Sequence, residues 1–187
     1  MYYNHPQRRH ASHTDNPLNH TNSPMNNMNN SANHTSSPTN QPNTNSVMHT
    51  IDFGPKPFAV NIDRITKQNN NYRRALWTGE HLQLTLMSIN PGEDIGLEMH
   101  PDLDQFIRIE EGQGLVKMGD TQENLNFKAN VGKDYAFIIP AGTWHNLINT
   151  GRRPIKLYSI YAPPQHPHGT VQETRAIAEA AEHKDQP

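Results

Sequence analysis

The chain has 187 residues, a formal net charge of −2 at pH 7, a pI near 6.6 and a mean hydropathy of −0.88. It is long enough for one ordinary domain but too polar to fold from end to end. The small net charge excludes the strongly basic surface that draws proteins to nucleic acid or to anionic membranes. Cysteine is absent, so any metal must be bound by imidazole, carboxylate, amide or water.

The sequence shows no signal for export or for membrane insertion. No apolar run near the N-terminus could serve as a signal peptide, and no stretch approaches the roughly 18 apolar residues of a membrane span. We therefore expect a cytoplasmic protein with neither a membrane nor a nucleic acid as its partner.

Residues 1–47 are dominated by Asn, with Ser, Thr, Pro and His between them. So few apolar side chains cannot offset an ordering entropy of about 1–2 kcal/mol per residue, so this segment is predicted to be a disordered tail. Its histidines are compatible with a metal-collecting arm, but solvated residues of a low-complexity linker are the favoured interpretation. They are His5, His10, His13, His20 and His34.

The segment 48–164 is predicted to be an all-β domain. Residues 51–63 mix β-forming residues with prolines, which favours an edge strand or an arm wrapped over the body. Residues 82–89 alternate apolar and polar side chains, the two-residue period of a half-buried strand. Short β-like runs separated by turn signals follow and favour a barrel or jelly roll; they are 106–109, 114–118, 125–128, 135–139, 144–148 and 155–161.

The remaining segment, 165–187, is predicted to be a loop followed by a C-terminal helix. Residues 171–184 are rich in alanine, the strongest helix former. Thr170 is the expected N-cap, and Glu173, three residues later, would complete a capping box.

Four polar side chains in the β region have the spacing of a metal site. Glu98 and His100 lie two residues apart, so on a strand they point to the same face. Gln105 follows after a short turn and would return on a neighbouring strand. His145 comes much later, just after the turn signal 140–142. A β scaffold would hold such ligands rigidly.

These residues carry a resemblance to the cupin family. Its two motifs are Gly-x5-His-x-His-x(3,4)-Glu-x6-Gly and Gly-x5-Pro-x-Gly-x2-His-x3-Asn. The chain matches the spacing of both, with Asp134 at the first glycine position of the second motif. The matching residues are Gly92, Glu98, His100, Gln105 and Gly112, then Asp134, Pro140, Gly142, His145 and Asn149.

The resemblance implies a double-stranded β-helix, or jelly roll, with a metal inside the barrel mouth. It is greatest with small single-domain cupins of the mannose-6-phosphate isomerase-like group. It implies no particular reaction, because the fold hosts dioxygenases, decarboxylases, isomerases and non-catalytic proteins.

The chain departs from the family pattern at two ligand positions. Glu98 replaces the first histidine, and Gln105 replaces the glutamate. Glu98, His100 and His145 then form a set of two histidines and one carboxylate, typical of non-haem iron, with Gln105 as a weak fourth ligand. Fe, Mn, Zn and Ni are all compatible with this set. The alternative is a barrel that has lost its metal, in which Glu98 and Gln105 hydrogen-bond each other.

The other polar residues near the motifs are interpreted as structural or solvated. Arg108 alternates with apolar residues and is expected to point away from the metal. Tyr158 and Tyr161 fall on opposite faces of one strand, so at most one can line the cavity. Trp144 is expected in the core or at the rim. The remaining side chains, expected at the rim or in solvent, are His166, His168 and His81.

Two functions are compatible with these observations. The first is a metal-dependent enzyme acting on a small organic substrate, by sugar isomerase-like or dioxygenase-like chemistry. The second is a non-catalytic binding or structural protein, with the tail attaching it to a surface or coat layer. A homodimer through residues 51–65 is expected in either case, because an edge strand exposes unpaired backbone groups.

Overall fold

The computed structural model describes residues 51–182, so the tail predicted for residues 1–47 and the predicted helix end at Lys184 lie outside it. Helix α1 comes first, nine strands follow, and helix α2 ends the described part of the chain. The elements are α1 (Ile62–Gln68), β1 (Arg73–Thr78), β2 (Gln83–Ile89), β3 (Asp104–Glu111), β4 (Gln113–Gly119), β5 (Phe127–Gly132), β6 (Ala136–Ile139), β7 (Trp144–Asn149), β8 (Ile155–Ala162), β9 (Val171–Gln172) and α2 (Arg175–Glu182).

The strands form two antiparallel sheets, which confirms the predicted all-β jelly roll. One sheet has the order β6-β3-β8-β2-β1-β9 and the other has the order β5-β4-β7. Single backbone bridges from Asp94 to Ile148 and from Glu98 to His145 add the segment 94–98 to the free edge of the smaller sheet. Neither described helix is long and apolar enough to cross a membrane.

The inward face of the larger sheet changes from apolar to polar along its strands. At one end Met87 pairs with Leu157 and Ile89 pairs with Ile155, and all four are buried in the core. At the other end the inward positions are polar. Tyr161 there lies between Gln83 on β2 and Gln105 on β3, with Thr85 and Ser159 beside them. All of these polar-end residues are at most 2% exposed.

Strand β2 is therefore buried on both faces and is not the half-buried strand that its alternation predicted. Gln83 and Thr85 were expected in solvent, but both are fully buried in the barrel. On the other face, Leu84 and Leu86 belong to a second apolar cluster with Phe53 and Phe58. The N-terminal segment covers this face, and its aromatic rings stack 4.4 Å apart.

Of the two predictions for residues 51–63, the arm is correct and the edge strand is wrong. The segment crosses the sheet without joining it as a strand, although the Phe53 N–H donates to Leu76 O at 2.9 Å. It ends in α1, which sequence analysis missed. Asn61 caps this helix, since its Oδ1 accepts from Arg64 N at 2.9 Å, and Asp63 pairs with Lys67 one turn later.

The predicted C-terminal helix exists but starts later than expected. Val171 and Gln172 pair with β1 instead, which extends the larger sheet. Thr170 Oγ1 donates to Pro167 O, so it does not cap the helix. Thr174 takes that role, because its Oγ1 accepts from the Ile177 N–H at 3.3 Å.

Asp52 connects three segments of the chain near the polar end of the barrel. Its fully buried carboxylate accepts hydrogen bonds from Gly54 N at 3.0 Å, from Thr78 N and Oγ1 at 2.9 and 2.6 Å, and from Gly169 N at 3.0 Å. Burial alone would raise the pKa of Asp52, but the bonds from Thr78, Gly169 and Gly54 lower it below the ordinary value of 3.8. The N-terminal arm, β1 and the loop after β8 thus share one anchor.

We predict that Asp52→Asn destabilises the protein by about 1–3 kcal/mol at pH 7, because an amide cannot accept every bond that the carboxylate accepts. Because the pKa of Asp52 is lower in the folded protein than in the unfolded chain, its carboxylate stabilises the fold at pH values above the unfolded pKa of about 3.9. This stabilisation is lost as the pH falls through the pKa of the folded state. The difference between variant and wild type should therefore shrink below about pH 4. Urea unfolding at pH 7 and pH 3 measures the difference in unfolding free energy between Asp52→Asn and the wild type. Asp120→Asn, at an exposed turn, is the control.

An equal loss in the Asp120→Asn variant, or a difference from wild type that does not change with pH, would contradict the assigned role of Asp52.

Candidate metal centre

Glu98 and His145 face each other across the edge of the smaller sheet. The Glu98 N–H donates to His145 O at 3.1 Å, and the His145 N–H donates to Glu98 O at 2.9 Å. Residues that exchange both backbone bonds in an antiparallel pair lie directly opposite, so their side chains leave the same face. A carboxylate and an imidazole that lie 47 positions apart in the sequence are therefore neighbours.

A tight turn brings His100 to the same place. Thr143 N donates to Pro140 O at 3.1 Å, and Gly142 adopts a φ of 76°, a left-handed conformation that favours glycine. The Gly142 N–H then donates to His100 O at 2.8 Å, which joins the turn before β7 to the segment that carries His100. The turn signal in the sequence therefore positions two of the histidines.

The three side chains converge on one point. His145 Nε2 lies 3.4 Å from Glu98 Oε1, and His100 Nε2 lies 3.7 Å from the same oxygen. One potential ligand atom from each of the three residues falls within 4.8 Å of the others. All three named atoms are buried and lack a hydrogen-bond partner in the described part of the chain.

Hydrogen bonding on the far side of the His145 ring sets its protonation pattern. Nδ1 lies 2.9 Å from the carbonyl oxygen of Thr143, so this nitrogen carries a proton and donates it. In the neutral ring Nε2 is then an acceptor aimed at Glu98. This is the arrangement in which histidine ligates a metal, with the other nitrogen held by a backbone carbonyl.

Glu98 is ionised at neutral pH. Burial alone would raise the pKa of its carboxyl group, but the neighbouring imidazoles of His100 and His145 outweigh that effect and lower the pKa well below its usual range. The centre therefore combines one negative charge with two nitrogen atoms.

Gln105 is buried nearby in the polar layer, but it is not one of the three converging residues. Its Nε2 donates to Ser159 Oγ at 3.0 Å, and its Oε1 has no hydrogen-bond partner among residues 51–182. The pairing of Gln105 with Glu98 that a metal-free barrel was expected to show is not formed, because the amide nitrogen is directed to Ser159.

A pocket of about 690 Å³ opens beside this centre. Glu98 and His100 line its inner end, and Trp144, which was expected in the core or at the rim, also lines it. Tyr161 lies behind His100, with the ring centroids 5.8 Å apart. Burial raises the pKa of Tyr161 to about 12, so its hydroxyl stays protonated. Leu97 and Met99 beside Glu98 also line the pocket. The other lining residues come from the loop after β8, from β9 and from α2; they include Gln165, His166, Thr170, Gln172, Ile177 and Ala181.

His166 differs from its prediction as a solvated loop residue. It lines the pocket, and its ring packs edge-on against Tyr161 with centroids 5.2 Å apart. Sequence analysis missed it because a loop histidine next to a proline is usually exposed. It also missed the buried Gln83, whose side chain holds the backbone of His166.

The remaining candidates lie where they were predicted. Arg108 is directed away from the centre and pairs with Asp134 at 3.0 Å. Tyr158 faces the opposite side of β8 from Tyr161 and packs against the cluster under the N-terminal arm. His81 and His168 are exposed.

Comparison with known proteins places the chain in a family. Residues 85–161 match the family model described as Cupin domain. The chain is 67% identical over 131 residues to the uncharacterized protein YrkC of Bacillus subtilis, covering 70% of each protein. A Bacillus halodurans protein, BH2720, has a crystal structure at 1.41 Å resolution and is 70% identical. The match covers 70% of this chain and 98% of that one, with a TM-score of 0.69.

The chain is a cupin. The relationship extends to a virus, because the chain is also 43% identical over 119 residues to the uncharacterized protein L612 of Acanthamoeba polyphaga mimivirus, covering 63% of this chain and 72% of that protein. All three converging residues lie inside the part that matches the cupin model, whereas His166 lies outside it.

The structure also explains one departure from the cupin motif. Asp134 takes the place of a glycine and has a φ of 69°, the one positive φ of a non-glycine residue in the described ranges. Aspartate tolerates this conformation better than most residues. The backbone of the motif is therefore kept although the glycine is not.

We predict that Gly142→Ala destabilises the protein by roughly 1–2 kcal/mol, the cost of a left-handed conformation for an L-residue. A Cβ atom at this position meets nothing within 4 Å, so the loss reports backbone conformation alone. Gly132→Ala is the matched control, because a Cβ there makes only an ordinary contact of 3.6 Å. Chemical denaturation measures both, and equal losses would contradict the proposed importance of the turn.

Proposed function

We propose that this cupin binds one divalent transition-metal ion through Glu98, His100 and His145, and that it acts on a small organic substrate in the adjacent pocket. The observation that carries the proposal is the convergence of three buried atoms that have no hydrogen-bond partner among residues 51–182. Leaving such atoms without a partner costs about 1–3 kcal/mol each, and more for a charged group. An ion at their centre would satisfy all three together.

The donor set fits such an ion in both chemistry and spacing. Two imidazole nitrogens and one carboxylate suit Fe, Mn, Zn or Ni. Ligand bonds of about 2.0–2.2 Å place two ligands of one ion roughly 3.0–3.5 Å apart. The separations of 3.4 and 3.7 Å from Glu98 Oε1 are close to that range. Gln105, with a free buried carbonyl oxygen in the same polar layer, is the proposed weaker fourth ligand.

A bound ion would supply Lewis-acid polarisation of a substrate oxygen, and iron would also supply redox chemistry. The protein's own groups would orient the substrate and exclude water from it. Tyr161 offers a protonated hydroxyl in the buried layer, and Trp144 contributes an apolar surface to the pocket wall.

The pocket wall favours the dioxygenase-like branch over the sugar isomerase-like branch. No lysine or arginine is among the described residues that line it, and the buried Arg73 guanidinium behind the wall donates to Gln172 at 3.2 Å, so the described wall offers a phosphate group no direct cationic contact. Much of the wall is apolar, which suits an apolar or aromatic body better than a polyol.

The surface outside the larger sheet supports the expected homodimer. Phe58, Val60, Leu82, Leu84 and Ile160 line an apolar groove of about 520 Å³ beside the N-terminal arm. A second copy of the chain would bury this groove. The basis for the dimer is then apolar surface rather than the unpaired strand edge from which it was predicted.

Metal analysis of purified variants tests the centre. We predict about one ion per chain in the wild type, none in His100→Ala or His145→Ala, and a reduced content in Gln105→Ala, because amide oxygen is the weaker ligand. His168→Ala, an exposed histidine outside the centre, is the control. Equal metal content in all variants would refute the assignment. A folded wild type without stoichiometric metal would favour the non-catalytic binding or structural role.

A second experiment restores the usual family ligands. We predict that the double variant Glu98→His with Gln105→Glu folds, binds metal and changes its preference among Fe, Mn, Zn and Ni, because it exchanges the positions of nitrogen and carboxylate. Competition between equimolar metals measures the preference. Failure of the double variant to fold would show that this pair serves structure rather than metal binding.

A further inference from the structure

We propose that His166 contacts the substrate and hydrogen-bonds an oxygen atom of a small amphipathic ligand held beside the metal. The inference deepens the proposed function and rests on it. Two structural features carry it: the loop position of His166 is held by a buried side chain, and its Nε2 is buried in the pocket wall without a hydrogen-bond partner among the described residues. His166 also lies outside the residues that match the cupin model.

A buried glutamine on the barrel holds the backbone of His166 from both sides. Gln83 Nε2 donates to His166 O at 2.8 Å, and Gln83 Oε1 accepts from the His166 N–H at 2.9 Å. Gln83 is fully buried, and its amide also donates to Thr78 Oγ1 at 2.9 Å. Most loops cross a surface without such an anchor, and this one fixes a histidine that lines the pocket.

The imidazole of His166 lies one ring beyond the candidate metal ligands. Tyr161 stands between His166 and His100, with centroid separations of 5.2 and 5.8 Å and near-perpendicular rings on both sides. A ligand bound at the metal and extending along the pocket would therefore meet His166 next.

His166 Nε2 is available to such a ligand as a neutral group. Burial lowers the pKa of His166 to about 3, so the ring carries no charge at neutral pH. A buried polar nitrogen without a partner is costly, and a ligand oxygen at this position would remove that cost. A neutral imidazole suits a hydroxyl or carbonyl group better than a phosphate, which prefers a cation.

The rest of the wall defines the chemical class of the ligand. Leu97, Met99, Trp144, Val171 and Ile177 present apolar surface around the polar inner end. The arrangement fits a compact molecule with an apolar or aromatic body and two nearby oxygen atoms. At least one oxygen would bind at the metal, and an oxygen of the same ligand, whether or not it is metal-bound, would hydrogen-bond His166.

Benzohydroxamate is a suitable probe, because it combines an aromatic ring with two adjacent oxygens that chelate metals. The full-length protein is loaded with cobalt(II), whose visible absorption reports ligand binding, and titrated with the probe. We expect His166→Phe to retain cobalt and to bind benzohydroxamate roughly five- to tenfold more weakly, the effect of one lost hydrogen bond. His166→Gln, which keeps a polar atom near the lost nitrogen, should recover most of the affinity.

His168→Phe, an exposed histidine on the same loop, is the matched control and should bind the probe as the wild type does. Acetohydroxamate, which lacks the aromatic ring, should bind more weakly than benzohydroxamate if the apolar wall takes part. Should His166→Phe fail to fold, His166→Ala is measured instead with the same expectation.

An unchanged probe affinity in a cobalt-loaded His166→Phe variant would overturn this inference alone. An equal loss of probe affinity in His168→Phe and His166→Phe would also overturn the inference about His166. A wild type that takes up no cobalt would overturn the proposed function, and this inference with it.

Discussion

The inward polar side chains at one end of this barrel are buried, so each of their polar atoms needs a partner from the protein or from a ligand. Most of them find one within the chain. Gln83 bonds to Thr78 and to the backbone of His166, and Gln105 bonds to Ser159. The inward polar atoms that lack a hydrogen-bond partner among the described residues include one atom each of Glu98, His100 and His145, and the convergence of these three defines the candidate site. Gln105 Oε1 and His166 Nε2 also lack a partner there.

The need to pair buried polar atoms also divides the barrel into two ends, an apolar end that stabilises the fold and a polar end that carries the candidate site. The apolar end, with Ile89, Ile155 and Leu157 fully buried, holds the two sheets together. The polar end needs connections to the outside of the barrel, and Asp52 and Gln83 supply them by holding the N-terminal arm and the loop after β8. A chain segment that would otherwise be mobile surface is thereby built into the wall of the pocket.

Sequence reasoning succeeded where local rules decide the structure. The spacing of Glu98, His100 and the Pro-x-Gly turn before His145 indicated that these residues meet, and the structure brings them together, with the turn holding the backbone of His100 through Gly142. Sequence reasoning failed where the deciding partner is distant in the chain. The position of His166 depends on Gln83, a residue 83 positions away. The Asn61 cap and the Asp63–Lys67 spacing could have revealed α1, but the prolines before them favoured an irregular arm.

The arrangement at His145 argues for a cation rather than a self-contained hydrogen-bond network. Because Nδ1 donates to the Thr143 carbonyl, Nε2 of the neutral ring directs a lone pair toward the ionised Glu98 oxygen 3.4 Å away. Two acceptors at that distance need a positive charge between them. Protons on both Nε2 atoms would also satisfy the carboxylate, but His145, which already carries a proton on Nδ1, would then be a positively charged imidazolium inside the barrel. The divalent ion that we propose would satisfy all three atoms with neutral imidazoles, and Glu98, which stands where the family motif has a histidine, would supply the negative charge that attracts it.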